Sequence, residues 1–274
     1  MRLHVSGPLV FILLLSSAST LAAPKADLWD RWVAHDPQST VKVDHQPWGR
    51  FLKTYIVHGQ DGVNRLPYAQ ISPADRAALD SYLARLAAVP VSKLKRTEQR
   101  AFWINLYNAQ TVSVILAHYP VKSIRDIDIS PGFFSDGPWG KKLLSIEDEK
   151  VSLDEIEHRI LRPIWKDPRV HYAVNCASIG CPNLQDQAFT VENTDGLLTK
   201  AAREYVNHPR GARVEKEKLV VSSLYRWFAA DFGGNDRAVI AHLKRYADAP
   251  LRGQLDRQSR ISNHGYDWAL NEAR

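Results

Sequence analysis

The chain has 274 residues, 45% hydrophobic and 24% charged, with a formal net charge of +6. That length and apolar content suffice for one large domain or two small ones and exclude a chain too polar to fold. Lys and Arg are spread along the sequence and form no run interleaved with aromatics, so the positive charge reads as a solvated surface and no nucleic-acid partner is expected.

Arg2 precedes the apolar run Leu9 to Leu15, and small residues follow from Ser16 to Ala23. This is the pattern of a cleaved secretory signal over residues 1–22, with Thr20-Leu21-Ala22 as the cleavage motif. The run is too short to span a bilayer, and no later stretch reaches that length, so an exported, periplasmic or secreted protein that is not membrane-embedded is expected. Removing the leader removes Arg2 alone among the charged residues and leaves +5.

Asp27 to His35 and Trp48 to Val57 read as short aromatic-bearing helices, and Asn64 to Ile71 as a strand. Ser72-Pro73 opens a helix whose stripe is Leu79, Tyr82, Leu83 and Leu86, ended by Pro90. A second helix runs from a Thr97 cap to about His118. Phe102, Ile104, Leu106, Ala109, Val112 and Ile115 cover nearly its whole circumference, which places it in the centre of the molecule. Asn105 and Asn108 on such a helix must find partners, either by pinning neighbouring main chain or by orienting a functional group.

Ser123 to Gly140 is a long loop carrying Phe133, Phe134 and Trp139, of the length that functional loops have. A hairpin over Lys141 to Leu153 follows. Ser152-Leu-Asp-Glu155 has capping-box spacing and opens a short helix to Leu161, ended by Pro163 and bearing Glu157 and His158.

Arg169 to Val174 alternates and is rich in β-branched and aromatic residues, so it reads as a strand. The pattern breaks at Asn175-Cys176 into small residues up to Cys181-Pro182, a stretch that holds both cysteines of the chain. A thiol at a strand exit stands where binding sites of sheet-containing folds usually lie. A helix over 193–206, a hairpin over 212–222, two helices capped by Ser223 and Asn235, and a strand-like tail from Tyr266 to Leu270 complete the chain. Neither a repeat nor a linker interrupts it, so one mixed α+β domain is expected, with the central helix packed on a mainly antiparallel sheet.

Four stretches, Asn64 to Ala69, Ala101 to Ala109, Ile156 to Arg162 and His171 to Pro182, closely resemble the domain-of-unknown-function family numbered 547 in its secreted bacterial form. Asp126 to Gly140, Val220 to Ser222 and Asp231 to Gly234 add to the likeness. The resemblance implies no activity, but it ranks residues. Plant relatives keep Asn105, Asn108, Glu157, His158, Cys176, Ser178 and Pro182, vary at His171, and often carry serine at Cys181. His158 is therefore preferred over His171 as the partner of Cys176.

A thiol attacks carbonyl carbon as thiolate, which calls for an imidazolium or a helix N-terminus beside it. The expected site accordingly has Cys176 as nucleophile and His158 as general base and then acid. Asn108, Asn105 and Glu157 would orient the ring, and the N–H groups of Cys176 to Ser178 would form the oxyanion hole, if Ala177 to Gly180 begins a helical turn. Ser178, Asn175, His171 and Trp139 would line the substrate. By residue type this is similar to a papain-like or transglutaminase-like site with histidine preceding cysteine, as in permuted members of that group, acting on an amide or ester such as an envelope peptide. A Cys176–Cys181 disulfide, a thiol-disulfide exchange pair and a non-catalytic binding module stay open as alternatives. Cys-x4-Cys without a second pair is a poor zinc signature, and no cofactor is expected.

Overall fold

The computed structural model describes residues 24–132 and 136–273. The expected leader 1–22 and the loop residues Phe133 and Phe134 lie outside the described residues.

The architecture is a single α+β domain arranged around α3 (Arg96–His118). Seventeen of its residues are buried, and Phe102, Trp103, Ile104, Asn105 and Leu106 are wholly inaccessible. A helix apolar on every side must be enclosed by other elements. Its enclosure differs from the expected sheet. α3 packs on α2 (Pro73–Ala87) and on the helical stretch 153–165, while the strands form three small sheets elsewhere. β1 (Val57–His58) with β2 (Asn64–Arg65), and β3 (Leu144–Ile146) with β4 (Glu149–Val151), are antiparallel hairpins. β5 (Ala212–Glu215), β6 (Lys218–Ser222) and β7 (Asn263–Gly265) form a mixed sheet with a parallel β6–β7 pair. A second core, centred on Tyr172, Tyr205, Tyr225 and Phe232, packs α6 (Thr194–Asn207) and α8 (Asp236–Tyr246) against that sheet.

The two amides of α3 serve the main chain. Asn105 donates to Phe189 O at 2.7 Å and accepts from Phe189 N at 2.9 Å. Asn108 donates to Ala173 O and accepts from Asn175 N, both at 2.8 Å, and so fixes the segment that leads to Cys176. Asn105→Ala orphans two buried backbone groups and is expected to cost about 2–4 kcal/mol in a urea titration; a change within a few tenths would mean water replaces the amide.

Several expected boundaries move for local reasons. Asn64 to Ile71 is a strand only at β2, because Pro67 has no N–H to donate to a ladder and Tyr68–Gln70 coils into a 3-10 turn. No side chain caps α3 at Thr97; its N-cap is Lys95. Arg169 to Val174 is not a strand. Asp167 accepts from Arg169 N and Pro168 sits at the first helical position, so Pro168–Tyr172 is a 3-10 helix. Its apparent alternation arises because Val170, His171, Tyr172, Ala173 and Val174 are all buried. In the tail, Asp267 accepts from Ala269 N, which breaks the strand and leaves only a bridge from Leu270 to Ser178.

The helix bearing Glu157 and His158 does not end at Pro163. Its α-helical opening, α4 (Leu153–Glu155), is capped by the Ser152–Glu155 box, widens into a π-helix over Ile156–Leu161 and closes as α5 (Arg162–Trp165). Pro163 has no N–H for the carbonyl one turn back. The N-terminal segment supplies the missing donors: Asp27 N binds His158 O and Trp29 N binds Arg159 O, both at 3.0 Å.

Candidate active site

Cys176 stands on a loop tied down on both sides. Asn175 donates to Pro182 O at 2.7 Å and accepts from Ala177 N at 2.8 Å. Ile179 N and Gly180 N bond to Ala269 O and Asp267 O of the tail. Gly180 has to be glycine, since a Cβ there would lie 2.8 Å from the backbone N and O of Asp267. Ala177 is left-handed at φ +57°, a strained state for a residue with a Cβ, immediately after the thiol.

This tethering brings three hydrogen-bonding groups to one sulfur, with Ser178 Oγ also donating to Tyr266 Oη at 3.2 Å. Cys181 Sγ is 2.9 Å from Cys176 Sγ, and Ser178 Oγ and Tyr266 Oη are each at 3.1 Å. Cys181 Sγ in turn accepts from Cys176 N at 2.9 Å and has Val174 O at 3.9 Å as a second acceptor for its proton besides Cys176. Burial pushes the Cys176 thiol up, but the hydrogen bonds from Cys181, Ser178 and Tyr266 outweigh it and hold the group below its ordinary value, against the charge of Glu157. Cys181 moves the other way, well above its ordinary value, through burial and its bond to Cys176. The two are free thiols, Cys176 partly exposed and Cys181 buried.

A second feature of the same region of the chain is a buried ionic cluster built on Glu157, Arg162, His171 and Asp231. His171 donates from Nε2 to Asp231 at 2.6 Å and has Nδ1 at 3.4 Å from Glu157. Burial lowers its basicity, but the two carboxylates prevail and raise it. Arg162 donates to the same Asp231 oxygen at 2.6 Å, to Pro24 O at 2.7 Å and to His158 Nδ1 at 3.0 Å. Phe228 stacks on the His171 ring at 4.3 Å and lies under the Arg162 guanidinium. Despite burial, Glu157 is held down at about 2, by His158 where that ring is protonated and by His171 and Arg162. Tyr107 of α3 is pushed well up, by burial first and then by the charges of Glu157, Cys176 and Cys181.

The geometry revises the expected roles. Arg162, always a donor, occupies His158 Nδ1, so the neutral ring carries its proton on Nε2, 3.7 Å from Asp154. Burial holds this histidine down at about 4. Among the described residues no hydrogen bond joins His158 or His171 to Cys176, and Asn105 and Asn108 hold main chain and no imidazole. Ala177 to Gly180 does not begin a helix, because Ser178 is bridged to Leu270. Of the expected oxyanion donors, Cys176 N and Ala177 N are already spent on Cys181 and Asn175. Trp139 is half-buried and reaches the tail through Trp268. Among the described residues no group of His, Cys, Asp and Glu is disposed to hold a metal ion.

Tyr266, Arg162, Asp231 and Phe228 belong to the candidate site and were not singled out for it from the sequence. Arg162 stands one turn after His158, a spacing at which helix side chains meet, and was readable on that ground. Tyr266, ninety positions from Cys176, had no local signal. Tyr266→Phe removes one hydrogen bond to the thiolate and is expected to slow iodoacetamide alkylation at pH 7 about tenfold, with the rate–pH midpoint moving up. An unmoved midpoint would assign the depressed acidity to Ser178 and Cys181 alone.

The arrangement therefore defines an α+β protein centred on a hydrogen-bonded, partly exposed thiol. Residues 91–206 match the family described as "Protein of unknown function, DUF547". The match carries α3, the Glu157-His158 pair and the Cys176 loop, whereas Asn64 to Ala69, Val220 to Ser222 and Asp231 to Gly234 lie outside it. No curated protein matches the chain, and no solved structure does. Among the described residues no helix is long and apolar enough to cross a membrane.

Proposed function

We propose that the protein is a thiol-dependent hydrolase or acyltransferase in which Cys176 attacks an ester or amide carbonyl. The observation that carries this reading is the nest of three hydrogen-bonding groups within 3.1 Å of a partly exposed sulfur whose acidity is raised. Thiolate attack forms a thioester and expels the alcohol or amine; water or a second acceptor then releases the acyl group and restores the thiolate. Tyr266 and Ser178 stabilise the thiolate, and Tyr266 Oη is placed to hydrogen-bond the leaving group. Glu157 and His171 form a buried ion pair, and the Glu157 charge is felt at the sulfur. His158 contributes by position, because its Nδ1 lone pair is engaged. Likeness to a permuted papain-like or transglutaminase-like site, export after residue 22, and an envelope peptide as substrate belong to the same proposal.

The test is mass spectrometry of the protein after brief exposure to p-nitrophenyl acetate. An acetyl adduct on Cys176 that decays with release of acetate, absent in Cys176→Ser, is expected. If no adduct forms and iodoacetamide reacts no faster than with a free thiol, the enzyme reading is lost.

The 2.9 Å approach of Cys181 favours one other reading, thiol-disulfide exchange. Cys176 thiolate would attack an external disulfide and expel one thiolate; Cys181 would then attack the mixed disulfide and expel the second, leaving a Cys176–Cys181 bond. Cys181→Ser separates the two, since exchange stops at the mixed disulfide while thioester formation continues.

A further inference from the structure

Four aromatic rings continue outward from the sulfur. Tyr266, whose hydroxyl touches Cys176, has its ring 4.7 Å from Trp268 and 4.8 Å from Trp227. Trp227 and Trp268 are 5.6 Å apart, and Trp139 joins Trp268 at 5.8 Å. The rings come from three separate parts of the chain: the loop before β3, the helix α7 (Leu224–Trp227) and the tail after β7. All four are partly exposed, as Trp29 and Trp165 are elsewhere, whereas Trp32, Trp48 and Trp103 are fully buried.

Trp139 and Trp268 pack their inner sides on the larger core, yet each of the four rings keeps part of its surface open, and aromatic patches assembled from distant segments mark binding surfaces. The packing is specific as well. A Cβ at Gly137, which is left-handed at φ +76°, would strike the Trp139 ring. The Arg125 guanidinium covers Trp268 at 5.4 Å and pairs with Asp136, so one side of the patch has a polar rim. The planes meet at 30° to 66°. Such tilted rings leave creases that suit edge-to-face contact with another ring or a branched side chain, whereas a flat sugar face needs a coplanar platform.

We infer that Tyr266, Trp227, Trp268 and Trp139 form the specificity subsite of the thiol and take an aromatic or bulky apolar group flanking the carbonyl that Cys176 attacks. This rests on the reading of Cys176 as a nucleophile. The subsite begins at the sulfur itself, since its first ring carries the hydroxyl bonded to Sγ.

The experiment compares alkylation of Cys176 in the full chain by iodoacetamide and by N-benzyl iodoacetamide, with the site confirmed by peptide mapping. In both, the thiolate displaces iodide and forms a C–S bond, so only the appended ring differs. The benzyl-to-parent rate ratio is expected to exceed that of N-acetylcysteine about tenfold or more, and to fall toward it in Trp227→Ala and in Trp268→Ala. Because the ratio is internal to each protein, the wild type alone decides the matter if a variant folds poorly. Acceleration of iodoacetamide with an ordinary ratio would overturn the subsite and leave the nucleophile standing. No acceleration of either reagent would remove the nucleophile and the subsite with it. Protection of Cys176 by N-acetylglucosamine oligomers without a benzyl preference would assign the wall to glycan and overturn the proposal.

Discussion

Arg162→Leu should lower the unfolding free energy by about 3–5 kcal/mol, the cost of removing one partner from a buried ion pair. The side chain is 4% exposed and meets Asp231, His158 and Pro24 O at once. Leucine would leave the carboxylate of Asp231 to His171 alone, release the Pro24 carbonyl and orphan the buried Nδ1 of His158. Arg162→Lys should recover little, because a single ammonium cannot span three acceptors set around a planar fork. Urea unfolding followed by tryptophan fluorescence measures both. A loss below about 1 kcal/mol would mean that the cluster is hydrated and the pairing is weak.

Acidification should destabilise the fold by about 3 kcal/mol between pH 7 and pH 5. Three buried histidines, His45, His158 and His242, are each held at about 4, chiefly by burial. Between the unfolded value near 6.5 and the folded value, the unfolded chain binds protons that the native chain refuses, so stability falls with pH across that window. His171, raised by Asp231 and Glu157, opposes this: its contribution is present below 6.5 and is lost as pH rises through its folded value. Asp154, raised by burial to about 6, also opposes the loss, but weakly because its side chain is 42% exposed. Melting curves across this range measure the sum, and His242→Gln should flatten the slope. A fold that gained stability on acidification would require these rings to be charged inside the protein.

The all-round apolar pattern of α3, the Ser72 cap on α2 and the Ser152–Glu155 box were legible because each depends on residues within a turn or two of each other. Asn105 and Asn108 were legible as buried amides in need of partners, though which main chain they would hold was not. The stretch Arg169 to Val174 misled for a definite reason: burial on every side mimics the alternation of a strand, and the Asp167 cap with Pro168 outweighs β-propensity. Pro163 misled too, since the carbonyls it leaves unpaired are satisfied from residues 27–29, more than a hundred positions away. The sulfur's surroundings were the least readable. Cys181 and Ser178 are sequence neighbours, but Tyr266 reaches Cys176 only through tertiary packing, and Arg162's hold on His158 shows in the sequence only as a helical spacing.

The docking of Asp27 and Trp29 onto the widened turn also bears on how the protein can be trimmed. Residues 24–29 look like a dispensable tail, yet they complete the turn that carries Glu157 and His158 and give Arg162 its Pro24 acceptor. A shortened form beginning after Trp29 would expose those carbonyls and loosen the ionic cluster from its far side. Where a protease or a cloning boundary cuts near the amino end thus decides how well the interior charges are seated.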